Sequence, residues 1–125
     1  MKTSTSKATP QDLPTFQQMV ALAITKAEMD LKCLINIRCT DDRWSDDDND
    51  TDFAVELAAS HVEQMKGMKF ETSVEFDLEW YKAAGALNLA SKAFSREDCV
   101  YARFLSSACK MFEHMAILVE FAQPQ

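Results

Sequence analysis

Residues that break regular structure are almost absent from this chain. Gly67 and Gly85 are its only glycines, and no proline occurs between Pro14 and Pro124. A β-sheet needs turns rich in glycine, proline and Asx residues at short intervals, and such turns are missing. The default is therefore long helices, separated where capping residues or an Asp-rich run interrupt the apolar periodicity.

The spacing predicts four helices. The first runs from about Phe16 to Arg38 behind Thr15 as N-cap, with Phe16, Val20, Ala23, Ala27, Leu31, Leu34 and Ile35 on one stripe. Leu22, Met29, Cys33 and Ile37 make a second stripe on a different side. The second helix covers roughly Asp52 to Lys66, capped by Asp50 or Thr51, with Ala54, Leu57, Ala58, His61, Val62 and Met65 inward. Gly67 is placed to end it in the left-handed C′ conformation. Thr72-Ser73-Val74-Glu75 fits a capping box and opens a third helix that ends near Phe94. Its seam is Phe76, Trp80, Ala83, Leu87, Ala90 and Phe94, at alternating spacings of four and three suited to close helix packing. Ser95-Arg96-Glu97-Asp98 reads as the next N-terminal signature. The fourth helix continues to about Ala122, with Val100, Phe104, Ala108, Met111, Met115, Leu118 and Ala122 on its main stripe. Tyr101, Leu105, Phe112 and Val119 lie beside that stripe and broaden it.

Four helices with short connections pack most simply as an antiparallel four-helix bundle of two helical hairpins. The expected fold is all-α, with an Asp-rich loop between helices 1 and 2. At 125 residues and 47% hydrophobic content, one domain over 16–122 is long enough to bury a real core. Residues 1–15 read as a disordered polar leader and 123–125 as a tail. The leader lacks an apolar h-region and no apolar run reaches membrane-spanning length, so a cytoplasmic protein with no membrane association is expected. Cys33, Cys39, Cys99 and Cys109 show neither a C-x-x-C hook nor a histidine partner at zinc spacing, which favours reduced structural thiols.

Charge is distributed very unevenly. Thirteen carboxylates lie between Asp41 and Glu79, opposed only by Arg43, Lys66 and Lys69, so this third of the chain carries −10 of a total of −7. Such a field repels nucleic acid and anionic membranes and favours a basic protein partner. The residues expected to meet that partner are Asp41, Asp42, Trp44, Asp46, Asp47, Asp48, Asp50, Asp52, Glu56, Glu75 and Glu79. Trp44 is the one large aromatic among the loop's carboxylates: the first expectation is that it folds back onto the bundle, the other that it stands exposed as a contact anchor ringed by charge.

Specific chemistry finds little support. An EF-hand register from Ser45 would use Asp47, Asn49 and Glu56, but Ser45 replaces the first Asp and Asp50 replaces the turn glycine. A di-metal carboxylate site needs E-x-x-H motifs, and none occurs. A nucleophile and base would require Cys109 and His61 to meet across the core, yet both sit on apolar stripes and no glycine-rich turn offers an oxyanion hole. Phosphate-binding glycine motifs are missing, and Lys82, Lys92, Arg96, Arg103 and Lys110 are scattered among acids. No catalytic, cofactor-binding or metal-ligating residue is assigned.

The function expected from these features is a small acidic helical interaction domain, an adaptor or inhibitor. It presents negative charge to a basic protein, in one version a nucleic-acid-binding protein whose ligand it mimics. The extra apolar faces of helices 1 and 4 suit a homodimer. The alternative is a carboxylate- and histidine-based metal-binding bundle or small enzyme. A third reading gives all the binding to apolar helix faces and leaves the acids to solubility.

Overall fold

The computed structural model describes residues 14–40, 49–94 and 99–122. Four helices account for nearly all of them: α1 (Phe16–Thr40), α2 (Asn49–Met65), α3 (Ser73–Ala93) and α4 (Val100–Glu120). Helix α1 packs on α2 and α4, and α3 packs on the same two neighbours, which closes a four-cornered bundle. Side-chain pairings fix the directions. Lys66 Nζ bonds Glu28 at 2.9 Å while Arg38 reaches Glu56 at 2.9 Å, so α2 runs antiparallel to α1. Thr51 Oγ1 donates to the Ala90 carbonyl, and His61 lies against Glu79, so α3 reverses again. Trp80 Nε1 donates to the Phe112 carbonyl at 2.8 Å and the Cys109 thiol lies against the Leu87 carbonyl, which together set α4 antiparallel to α3.

The starts of α1 and α3 follow directly from sequence. Thr15 Oγ1 accepts from the Gln18 amide at 3.1 Å, and Gln18 Oε1 accepts from the Thr15 amide at 2.9 Å. This is a reciprocal capping box in which glutamine takes the place of glutamate. At α3, Thr72 Oγ1 accepts from the Glu75 amide, and Glu75 turns back to the Glu71 amide at 2.8 Å. Every residue predicted for the α3 seam, Phe76 through Phe94, is buried.

Other expectations need correction. Helix α2 begins at Asn49, so Asp50 and Thr51 are helical rather than caps. Acidic residues in a first turn are favoured by the helix dipole, which lets the helix reach back into the Asp-rich run. Gly67 does not adopt the left-handed conformation. Instead Lys66, Gly67 and Met68 donate to carbonyls three residues back, tightening the last turn. On α2, Val55 is buried, while Leu57 is exposed and His61 is half-buried.

The phase of α4 also differs. The buried stripe is Tyr101, Leu105, Ala108, Phe112, Met115, Ala116 and Val119. Val100, Phe104 and Leu118, placed on the main inward stripe by spacing, are exposed. Ala108 and Met115 belong to both sets, and the residues expected to flank the main stripe, Tyr101, Leu105, Phe112 and Val119, are the buried ones. The sets otherwise differ by one residue at the same spacing, so periodicity alone cannot choose between them.

An aromatic column ties the bundle together. Phe70 meets Phe76 edge-on, Phe76 stacks on Trp80 with centroids 5.1 Å apart, and Trp80 lies 4.4 Å from Phe112. Gln17 Nε2 donates to the Phe70 carbonyl at 2.7 Å, anchoring α1 to the α2–α3 connection.

Candidate functional site

Six of the eleven residues expected to meet a partner, Asp41, Asp42, Trp44, Asp46, Asp47 and Asp48, lie outside the described residues, as does the Ser95–Asp98 signature. The other five are spread over two helices and mostly engaged internally. Asp52 and Glu56 both pair with Arg38 of α1. Glu75 is occupied at the α3 cap. Glu79 Oε1 sits 3.0 Å from His61 Nε2, out of line for a hydrogen bond, and Lys82 approaches it at 3.3 Å from the other side. Asp50 is exposed in the first turn of α2. Asp52 and Glu56 thus turn toward α1, whereas Glu75 and Glu79 serve α3 and its contact with α2.

Residues considered for chemistry are kept apart. His61 is set against Glu79, and the Cys109 thiol points at the Leu87 carbonyl at 3.7 Å. Those two α3 partners are separated by roughly 12 Å of helical rise. Burial pushes the Cys109 thiol up, and Glu113 adds to it, which works against thiolate formation. Among the described residues, no group of three or more His, Cys, Asp and Glu side chains is arranged to hold a metal ion. No helix among them is long and apolar enough to cross a membrane.

An open cleft of about 440 Å³ lies at one end of the bundle, between Phe16, Thr72, Ser73, Glu120 and their neighbours. Asp77 lies one turn of α3 further on. Its Oδ1 is shut off from solvent without a hydrogen-bond partner. Desolvation raises the Asp77 carboxyl above the ordinary range, and the Glu120 carboxylate raises it further. The folded chain therefore keeps this proton at pH values where the unfolded chain has released it. Ionised Asp77 subtracts from stability once pH rises above the ordinary aspartate value. Asp77→Asn is expected to raise Tm at neutral pH, with the gain fading as pH falls through the aspartate range. Thermal melts across pH check this, and a gain that persists in acid would contradict it.

The feature that sequence reasoning missed is on the outward side of α3. Val74, Leu78, Tyr81 and Leu89 are 66, 64, 52 and 64% exposed. Each stands two residues from a member of the buried seam, about 200° round the helix, so they form one row facing away from the core. Gly85 falls in the same row and is exposed. The signal was legible: α3 is apolar on both sides, which is unusual for a helix with only one side in a core. The α2–α3 pairing brings Phe53 level with Leu89 and Leu57 level with Gly85, and both α2 residues are exposed.

Gly85 has no internal reason to be glycine. A Cβ added there would meet nothing within 4 Å. Gly85→Ala is expected to stabilise the fold by about 0.5–1 kcal/mol in a urea melt, because glycine in a helix interior loses more entropy on folding than alanine. A loss of stability would show that the backbone there is not ordinary helix.

The molecule is thus an all-α four-helix bundle with an apolar row outside its core. Compared with protein-family models, curated proteins and solved structures, the chain finds no match.

Proposed function

We propose that this chain is a helical protein-interaction module, an adaptor or inhibitor, whose α2–α3 face receives a basic amphipathic segment of a partner protein. The supporting observation is the exposed row Val74, Leu78, Tyr81 and Leu89 on a helix whose other side already fills the core. Contiguous exposed apolar surface of this kind marks interaction sites.

Charge narrows the partner's chemistry. Helices α2 and α3 together carry a net −5, and of their acids Asp50, Glu75 and Glu79 are not turned toward α1 or α4, whereas Asp52 and Glu56 pair with Arg38 of α1 and Asp77 lies against Glu120 of α4. The Asp run that precedes α2 adds to the same field. Carboxylates steer the encounter and select against acidic partners, while the apolar row supplies contact area. A nucleic-acid-binding protein is one class of basic partner that this chemistry would attract.

A titration tests the reading. A synthetic helical peptide with leucine on one face and lysine on the other should bind, and binding should weaken as salt rises. The same peptide with glutamate in place of lysine should not bind. Equal binding of the two would remove charge from the account, and binding of neither would reject the face as a receptor.

A further inference from the structure

We infer, resting on the receptor reading of the α2–α3 face, that capture of a basic segment there is gated by a proton on His61, which shuts off the carboxylate of Glu79. His61 Nε2 lies 3.0 Å from Glu79 Oε1 across the seam between the two helices. The ring nitrogen is shut off from solvent and has no hydrogen-bond partner. Both side chains are mostly covered, at 16 and 23% exposed. Lys82 reaches the same carboxylate at 3.3 Å from each oxygen, but it is 61% exposed. The residues one turn from His61 on its own helix, Leu57, Ala58, Gln64 and Met65, carry no charge. Helix α1, which also packs on α2, turns Glu28 and Arg38 toward it, and these engage Lys66 and Asp52 with Glu56. Glu79 and Lys82 are thus the charged groups that face the imidazole.

Glu79 also belongs to the receptor face. With Leu78 of the apolar row it lines a surface hollow of about 430 Å³, alongside Met68, Lys69, Phe70 and Glu75. Leu57, exposed on α2, stands one turn from His61. The proton and an incoming basic segment therefore compete for one carboxylate. Histidine is the side chain whose charge ordinarily changes between about pH 5 and 8. With the ring neutral, Glu79 and Lys82 sum to zero, and the flexible stem of an exposed lysine can swing aside for a cation of the partner. With the ring charged, a covered cation holds Glu79 and the seam becomes +1, which repels a basic segment. The competition is reciprocal, so a bound basic segment keeps the proton off His61.

Fluorescence anisotropy of the labelled lysine–leucine peptide at low ionic strength, read from about pH 8 down to about pH 5.5, tests the gate. Affinity for the wild type should fall by about two- to fivefold over that range, the scale of one exposed ion pair. His61→Gln should abolish the slope, because the amide cannot take the charge, and His61→Asn repeats the test with a shorter side chain. His114→Gln should keep the slope, since His114 is exposed on α4. Glu79→Gln should weaken binding at the upper pH by a similar factor. A slope that survives both His61 changes, a slope lost in His114→Gln, or full affinity in Glu79→Gln would each overturn the gate. Circular dichroism at both ends of the range checks that the variants fold. Peptide that binds the wild type equally well across the range overturns the gate and leaves the receptor face standing. Peptide that binds at no pH rejects the receptor face, and the gate falls with it.

Discussion

Trp80→Ala is expected to cost about 3–5 kcal/mol, the range for removing a large aromatic from a packed core. Trp80 is fully buried, is stacked on Phe76 and meets Phe112 at a tilt, and donates its indole N–H to the Phe112 carbonyl. The substitution therefore removes a hydrogen bond, two ring contacts and most of the volume at the junction of α3 with α4. For a domain of this size such a loss lowers Tm by something of the order of 15 °C, and it takes much of a typical 5–15 kcal/mol total. Trp80→Phe keeps the stacking and gives up the donation, so it should cost far less than the alanine change. Thermal melts of both variants followed by circular dichroism provide the check. A near-neutral alanine variant would mean that the column from Phe70 to Phe112 does not hold the bundle together.

Leu78→Glu with Tyr81→Glu is expected to weaken binding of the lysine–leucine peptide by roughly tenfold or more, the scale of losing central interface anchors. The direction is the informative part. The double change adds two negative charges to a pair of helices that already carries a net −5. If attraction to carboxylates alone captured the peptide, affinity would rise. A fall shows that the apolar row makes the contact and that charge only steers. Both side chains are well exposed, so the fold should change by no more than about 0.5 kcal/mol each. Fluorescence anisotropy with a labelled peptide measures the affinity.

Helix number, order and most boundaries were legible in the sequence because local signals agreed with the global pattern. The α3 seam could be read to the residue: Thr72 and Glu75 fixed its start, and Trp80 and its neighbours fixed its phase. Helix α4 could not be phased, because Phe104 and Leu105 belong to equally regular stripes and only the positions of α1 and α3, the helices it packs on, decide which is buried. Leu57 misled for a related reason. It shares the spacing of the α2 core, but Val55 and Val62 sit closer to the centre of the buried face.

The candidate site was harder to read. Counting carboxylates found the acidic third of the chain but not how its members are used. Arg38, distant in sequence, engages Asp52 and Glu56, and His61 and Lys82 engage Glu79. Pairings of that kind depend on which helices are neighbours. The apolar row of α3 was written in the sequence, yet it became conspicuous only once Phe76, Trp80 and Leu87 were seen to fill the core without it.

The central claim is that the outward side of α3, with Phe53 and Leu57 beside it, is a receptor for a basic amphipathic segment. Its most direct test is a ¹⁵N NMR titration of the full chain with the lysine–leucine peptide. The account predicts that amide shifts concentrate at Phe53, Leu57, Val74, Leu78, Tyr81, Gly85 and Leu89, with α1 and α4 unmoved. Shifts centred on Leu22, Met29, Phe104 and Leu118, or confined to the Asp-rich segment 41–48, would contradict it.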